Sequence, residues 1–76
     1  MKRLGTVHRI AGNLLVLTAA ETDHPPIGTT ALDETLGTVG RVVDVFGPVD
    51  EPFLAVSPDG EADPALVGET LYWRQQ

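Results

Sequence analysis

The segment GRVVDVFGPVDEPFLAVSP, from Gly40 to Pro58, limits the possible folds more than any other part of the chain. Two strand-like runs, Val39 to Phe46 and Phe53 to Val56, flank a corner at Gly47 and Pro48. Alternate side chains of a strand point to opposite faces. That alternation puts Val39, Val43 and Val45 on one face and Val42 and Phe46 on the other, with Asp44 between them. Leu54 and Val56 likewise oppose Phe53 and Ala55. A half-buried strand keeps one face polar, whereas here both faces are apolar around the corner. A chain of 76 residues wraps only one core. The second apolar face therefore reads as a docking surface for a protein partner.

The remaining segments repeat the strand-and-turn pattern. Leu4 to Ile10 alternates imperfectly and meets turn residues at Gly12 and Asn13. Leu14 to Thr18 is a short continuous apolar run, as expected of a strand covered on both sides. The two can pair as a hairpin around Ala11-Gly12-Asn13. Ala19 to Thr29, with His24, Pro25, Pro26 and Gly28, reads as loop. Thr30 to Leu32 is a short strand, and Asp33-Glu34-Thr35 turns into a long strand from Leu36 to Phe46. Gly37 and Gly40 in that strand signal a bulge or a close backbone approach. Ser57-Pro58-Asp59-Gly60 is a turn. Pro64 to Leu71 has room for one helical turn, Leu71 to Arg74 closes the sheet, and Gln75 and Gln76 are expected to fray. No stretch carries helical periodicity. The pattern predicts an all-β fold, one domain over residues 1–76, built as a small closed six-stranded barrel, since closure leaves no exposed edge.

Eleven acidic residues face five basic ones, for a net charge of −6, and Lys2 is the one lysine. That balance argues against an autonomous nucleic-acid binder, which needs cations to displace phosphate counterions. Two readings of the acid are open. It marks a surface for a basic partner, or it is a salt adaptation. Strong negative charge with few lysines resembles proteins of halophilic archaea, and the spread of the acids through turns favours the salt reading. The chain has no cysteine, which removes disulfide and thiolate-metal staples and fits a reducing, cytoplasmic setting. The opening Met1-Lys2-Arg3-Leu4-Gly5 enters a strand pattern and does not resemble a signal peptide. The longest apolar run, Leu14 to Leu17, is too short to span a membrane.

Catalytic groups are few. His8 and His24 are the only histidines, and neither sits in a metal-ligand spacing. Ser57 stands beside Pro58 with no nearby base. Asp33 with Glu34, and Asp50 with Glu51, read as solvated turn charges. Gly37-Thr38-Val39-Gly40 opens no helix, so it lacks the amide cradle of a phosphate loop. No cofactor, metal or catalytic residue is expected. Lys2, Arg3 and Arg9 form the one sequence-local basic group and are the candidate RNA contacts, with aromatics confined to Phe46, Phe53, Tyr72 and Trp73. Asp44 is either an ordinary exposed strand residue or an acceptor for a partner's hydrogen bond. Val42, Phe46, Val49, Phe53 and Ala55 are barrel core if the sheet curls tightly. The interface reading is preferred. Pro48 and Pro52 stiffen the connection and lower the entropy lost on binding, and aromatic anchors among small apolar residues match the make-up of hot spots. The predicted contact set is Val42, Asp44, Phe46, Gly47, Pro48, Val49, Pro52 and Phe53.

The same segment resembles the signature of the Gar-type core protein of H/ACA ribonucleoproteins, shared in part with the Naf-type assembly factor. The similarity extends through Pro26-Ile27-Gly28, the Asp33 to Gly37 turn and the opening Arg3-Leu4-Gly5-Thr6-Val7. The resemblance implies a six-stranded barrel like the second domain of translation elongation factors. It implies a noncatalytic subunit of the guide-RNA particle that converts uridine to pseudouridine in ribosomal RNA. Such a subunit docks on a dyskerin-like pseudouridine synthase, influences its substrate-gripping loop, and meets guide RNA mainly indirectly. Two features depart from the family pattern. The chain has no Gly/Arg-rich tail, as in archaeal members, and Phe53 stands where many relatives carry tyrosine, so a hydroxyl is lost while ring packing remains. The alternatives are a barrel that binds RNA directly, a Naf-type assembly factor using the same synthase surface transiently, and, last, a small enzyme.

Overall fold

The computed structural model describes residues 1–21 and 25–74. The expectations for His24, Gln75 and Gln76 fall outside them. Six strands form: β1 (Lys2–Ala11), β2 (Leu14–Ala19), β3 (Thr30–Leu32), β4 (Thr38–Phe46), β5 (Phe53–Pro58) and β6 (Thr70–Trp73). They close into an antiparallel barrel in the order β1-β2-β5-β4-β3-β6. One short 3₁₀ turn, Pro64–Leu66, precedes β6. Asp63 caps it by accepting the Ala65 amide at 2.9 Å, and Pro64 fills a position that needs no donor. Among the described residues no helix is long and apolar enough to cross a membrane.

Turn chemistry sets the order of the strands. The β1–β2 hairpin turns on Gly12 and Asn13. Gly12 sits at φ +61° and Asn13 stays outside the left-handed region, which matches a type II′ turn. Asn13 then reaches across the barrel end: its Nδ2 donates to the Gly60 carbonyl at 3.0 Å and its Oδ1 accepts the Ala62 amide at 2.8 Å. The Asp33 carboxylate accepts from the Thr35 amide and hydroxyl and from the Gly37 amide. That knot delays the start of β4 to Thr38, so Leu36 and Gly37 belong to the turn rather than to the expected strand. Ser57 and Pro58 end β5 instead of opening the following turn, and β6 closes one residue earlier than the expected Leu71 to Arg74.

The core is one cluster: Leu4, Val7, Leu15, Leu17, Ala31, Val42, Leu54, Val56 and Leu71. Leu15, Val16 and Leu17 are all buried, so β2 is covered on both faces as its unbroken apolar run requires. The imperfect alternation of β1 has a cause. Its register shifts between Arg3 and Gly5 and again between Val7 and Arg9, each shift passing over one residue. Gly40 lies where β4 crosses β5, and a Cβ there would collide with the Ser57 carbonyl. The expected close approach is real at Gly40.

One irregularity changes the sequence-based face assignment. The β4–β5 register shifts between Val42 and Asp44, pairing Val42 with Val56 and Asp44 with Ala55. The extra residue is Val43. Beyond a bulge, every side chain moves to the opposite face. Val42 is therefore inside, at 0% exposed, while Val43 and Phe46 are outside at 43% and 41%. Val42 and Phe46 do not share a face, and Val43 does not accompany Val39 and Val45, which pack against the core.

Candidate protein-docking surface

The outer side of the β2–β5–β4 sheet carries two cross-strand rows. Thr18, Phe53 and Phe46 form one, and Val16, Ala55 and Asp44 form the next. The Phe46 and Phe53 rings stack with centroids 5.6 Å apart and planes inclined by 23°, the offset geometry aromatic pairs prefer. Phe53 is half-buried and Phe46 exposed, so the pair presents one ring face to solvent.

The loop beyond β4 fixes that pair. Gly47 adopts φ +86°, which glycine reaches without steric cost. A Cβ at this position would stand 2.7 Å from Phe53 Cδ2. Glycine is thus required both by the backbone and by the ring above it. The Glu51 amide donates to the Pro48 carbonyl at 3.3 Å, making a turn with Val49 at its apex. Val49 is 94% exposed. Pro52 is buried, and its carbonyl accepts the Ala19 amide at 3.0 Å, which anchors the loop to β2.

The contact set predicted from sequence therefore divides. Phe46, Gly47, Pro48, Val49 and Phe53 gather at the tip, four of them exposed and Phe53 half-buried. Val42 is core, and the bulge at Val43 removes it from any contact surface. Pro52 is buried and holds the loop from below. Asp44 is exposed, and its Oδ1 accepts the amide of Val45 at 2.8 Å, so its first role is to brace the bulge. The sequence reading missed Val43, which the bulge places outside next to the Asp44–Ala55 pair. The adjacent β-branched pair Val42-Val43 is the only trace of it.

A groove of about 570 Å³ runs from the tip to the end of β2. Phe53 and Pro52 supply apolar wall, and Glu21, Asp50 and Glu51 supply acidic rim. The surface thus combines an aromatic anchor with a negative border. Elsewhere, Lys2, Arg3 and Arg9 do not form one group. Arg9 lies seven residues along β1 from Lys2, about 23 Å at strand rise. His8 is exposed on the β1 bulge. No three His, Asp or Glu side chains among the described residues converge on a metal-sized space.

Comparison with known proteins adds two findings. A family model described as the Gar1/Naf1 RNA binding region matches residues 1–76. An uncharacterized protein of Methanothermobacter thermautotrophicus is 26% identical over 76 residues, an alignment covering 95% of this chain and 82% of that protein.

Proposed function

The chain belongs to the Gar1/Naf1 family, and we propose that it is a noncatalytic subunit of the H/ACA guide-RNA pseudouridylation particle that docks on a dyskerin-like pseudouridine synthase. The observation that carries this reading is the stacked Phe46–Phe53 pair on a stiffened, solvent-exposed tip. Exposed aromatic anchors held rigid before binding lose little entropy and tend to dominate interface energy. The acidic rim of Glu21, Asp50 and Glu51 suits a synthase surface that is basic around an apolar pocket.

In this reading the chain contributes no catalytic group and works through population. Docking favours one position of the synthase's substrate-gripping loop and so alters loading and release of ribosomal RNA. Guide RNA is met mainly through the assembled particle, in the cytoplasm of an archaeal cell. The net charge of −6 reflects a salty interior, which predicts that the melting temperature rises with potassium chloride. A Naf-type assembly factor would use the same tip, and persistence of the chain in the mature particle distinguishes the two roles.

The test is Phe46→Glu. It should weaken synthase binding by at least about 2 kcal/mol, the hot-spot range, while the free chain keeps its folded circular-dichroism spectrum. In a reconstituted particle the wild-type chain should raise multiple-turnover rate and the variant should not. Unaltered affinity of the variant would refute the docking site.

A further inference from the structure

The row of outward side chains that ends in the aromatic pair begins on the far side of the sheet. Register carries it across five strands: Thr70 of β6 opposes Thr6 of β1, Thr6 opposes Thr18 of β2, Thr18 opposes Phe53, and Phe53 opposes Phe46. At ordinary strand spacing the row is about 19 Å long. Cross-strand partners stand on one side of a sheet, so the threonines continue the surface on which the rings lie. Thr6 and Thr18 are exposed and Thr70 is half-buried.

The tip groove extends the same way. A hollow of about 440 Å³ opens beside it over β1 and takes Lys2, Arg3, Thr6 and Thr70 into its lining. Thr18, Ala19, Ala20 and Glu21 line both, so the two form one trough along the rim. Charge changes sign along it. Asp50 and Glu51 stand at the aromatic end, Glu21 at the middle, and Lys2 and Arg3 at the far end. Lys2 reaches back to Glu21 at 3.8 Å, whereas Arg3 is exposed and has no ion-pair partner among the described residues.

Area decides how far a partner must spread. A stable interface engages roughly 20–30 residues a side, about 800 Å², and the tip residues alone fall well short. The next row adds little, since Val16 and Ala55 are already only 5% and 4% exposed. The trough is open and continuous with the tip. We infer that the docking face runs from Phe46 along the threonine row to Arg3, and that the protein covering it sets basic groups against Asp50 and Glu51 and a carboxylate against Arg3. This inference rests on the docking role proposed above and adds the extent and polarity of the face. Opposite charges at its two ends fix one orientation of the partner on the barrel. Nucleic acid does not suit the trough, because a polyanion lying in it would pass Glu21, Asp50 and Glu51. A protein surface places one carboxylate at Arg3 and cations elsewhere.

Binding of the full chain to the dyskerin-like synthase, without guide RNA, tests the extension. Arg3→Glu sets like charges together and should weaken affinity at least about tenfold, with the loss shrinking as salt screens the pair. Thr6→Trp adds bulk at an exposed strand position, where tryptophan is well accommodated. Its clash with a covering surface should weaken affinity at least about tenfold whatever the salt. Arg41→Glu, on the Ser57 pair toward the opposite rim, should stay within about twofold, as a charge beyond screening distance of the contact. All three variants should melt near the wild-type temperature. Wild-type affinity in Arg3→Glu or in Thr6→Trp, an equal loss in Arg41→Glu, or a loss that appears only once guide RNA is added would each overturn the proposal. Phe46→Glu separates this failure from that of the docking role. If it alone weakens binding, docking is confined to the tip; if it too binds like wild type, the docking role falls together with its extension.

Discussion

Two neighbouring stretches of one barrel rim are built from the same hydrogen-bonded frame and offer opposite chemistry. The β4–β5 tip is aromatic and aliphatic, locked by Gly47, Pro48 and the Pro52–Ala19 bond, with Asp50 and Glu51 at its edge. The strand end where β1 meets β6 carries Lys2 and Arg3, with Arg74 next in the chain, and Lys2 is bridged to Glu21 of the tip groove at 3.8 Å. Neither could be read from a net charge of −6. Net charge governs solubility and approach, whereas each face is decided by which side chains the register sets side by side. A small closed barrel can therefore carry two unlike surfaces without a second domain's worth of core.

The sharpest way to break this picture is at Val42, two strand positions before Asp44 and on the far side of the bulge from Phe46. Val42→Asp buries an unpaired charge and should cost about 3 kcal/mol or more of folding stability, seen as loss of the cooperative thermal transition. Phe46→Glu, only four residues on, forfeits the ring stack with Phe53 and should cost no more than about 1.5 kcal/mol of stability, with its main effect on synthase binding. Equal destabilisation by the two would mean that the bulge is absent and Phe46 is core. Next in size is Gly47→Ala. The positive φ and the Phe53 ring together oppose a Cβ, so it should cost about 1–3 kcal/mol and displace the ring pair, visible as altered Phe53 ring shifts by NMR and weaker docking. Gly12→Ala offers a comparison, since it has φ +61° and no atom near the added Cβ. It should show backbone strain alone and leave docking untouched.

The smallest effect concerns pH. The Asp33 carboxyl is held below its ordinary value of 3.8, first by the Thr35 hydroxyl and next by the Gly37 amide. Because the folded state favours the ionised form, the contribution is full above that ordinary value and fades as pH falls through the lower folded one. The melting temperature of Asp33→Ala should therefore converge on wild type in strong acid and fall below it near neutrality. A gap that widened on acidification would contradict the assignment.

Much of the fold was legible because each signal had a short-range cause. Gly12-Asn13 named the hairpin, the unbroken Leu15-Val16-Leu17 run named a strand covered on both sides, and the absence of helical period left closure as the economical solution. The tip was legible for a similar reason: Gly-Pro-Val between two apolar strands leaves Val49 nowhere to hide. Face assignment beyond Val42 was not legible. Alternation counts residues, and one bulged valine shifts the count for Asp44, Val45 and Phe46 together. The basic end was also hidden, because Lys2 and Arg74 lie at opposite ends of the sequence and meet only through the β1–β6 ladder. Grouping by sequence put Arg9 with Lys2 and Arg3 instead, although the strand carries it to the other rim.

Hydrogen–deuterium exchange of the chain, alone and with the synthase, puts the docking surface to the most direct trial. Amides of the segment from Asp44 to Phe53 should become protected in the complex, while those of the Gly12–Asn13 turn, at the other rim, exchange as in the free chain. Protection confined to the Gly12–Asn13 rim, or none at the tip, would show that the outward aromatic pair is not what the partner covers.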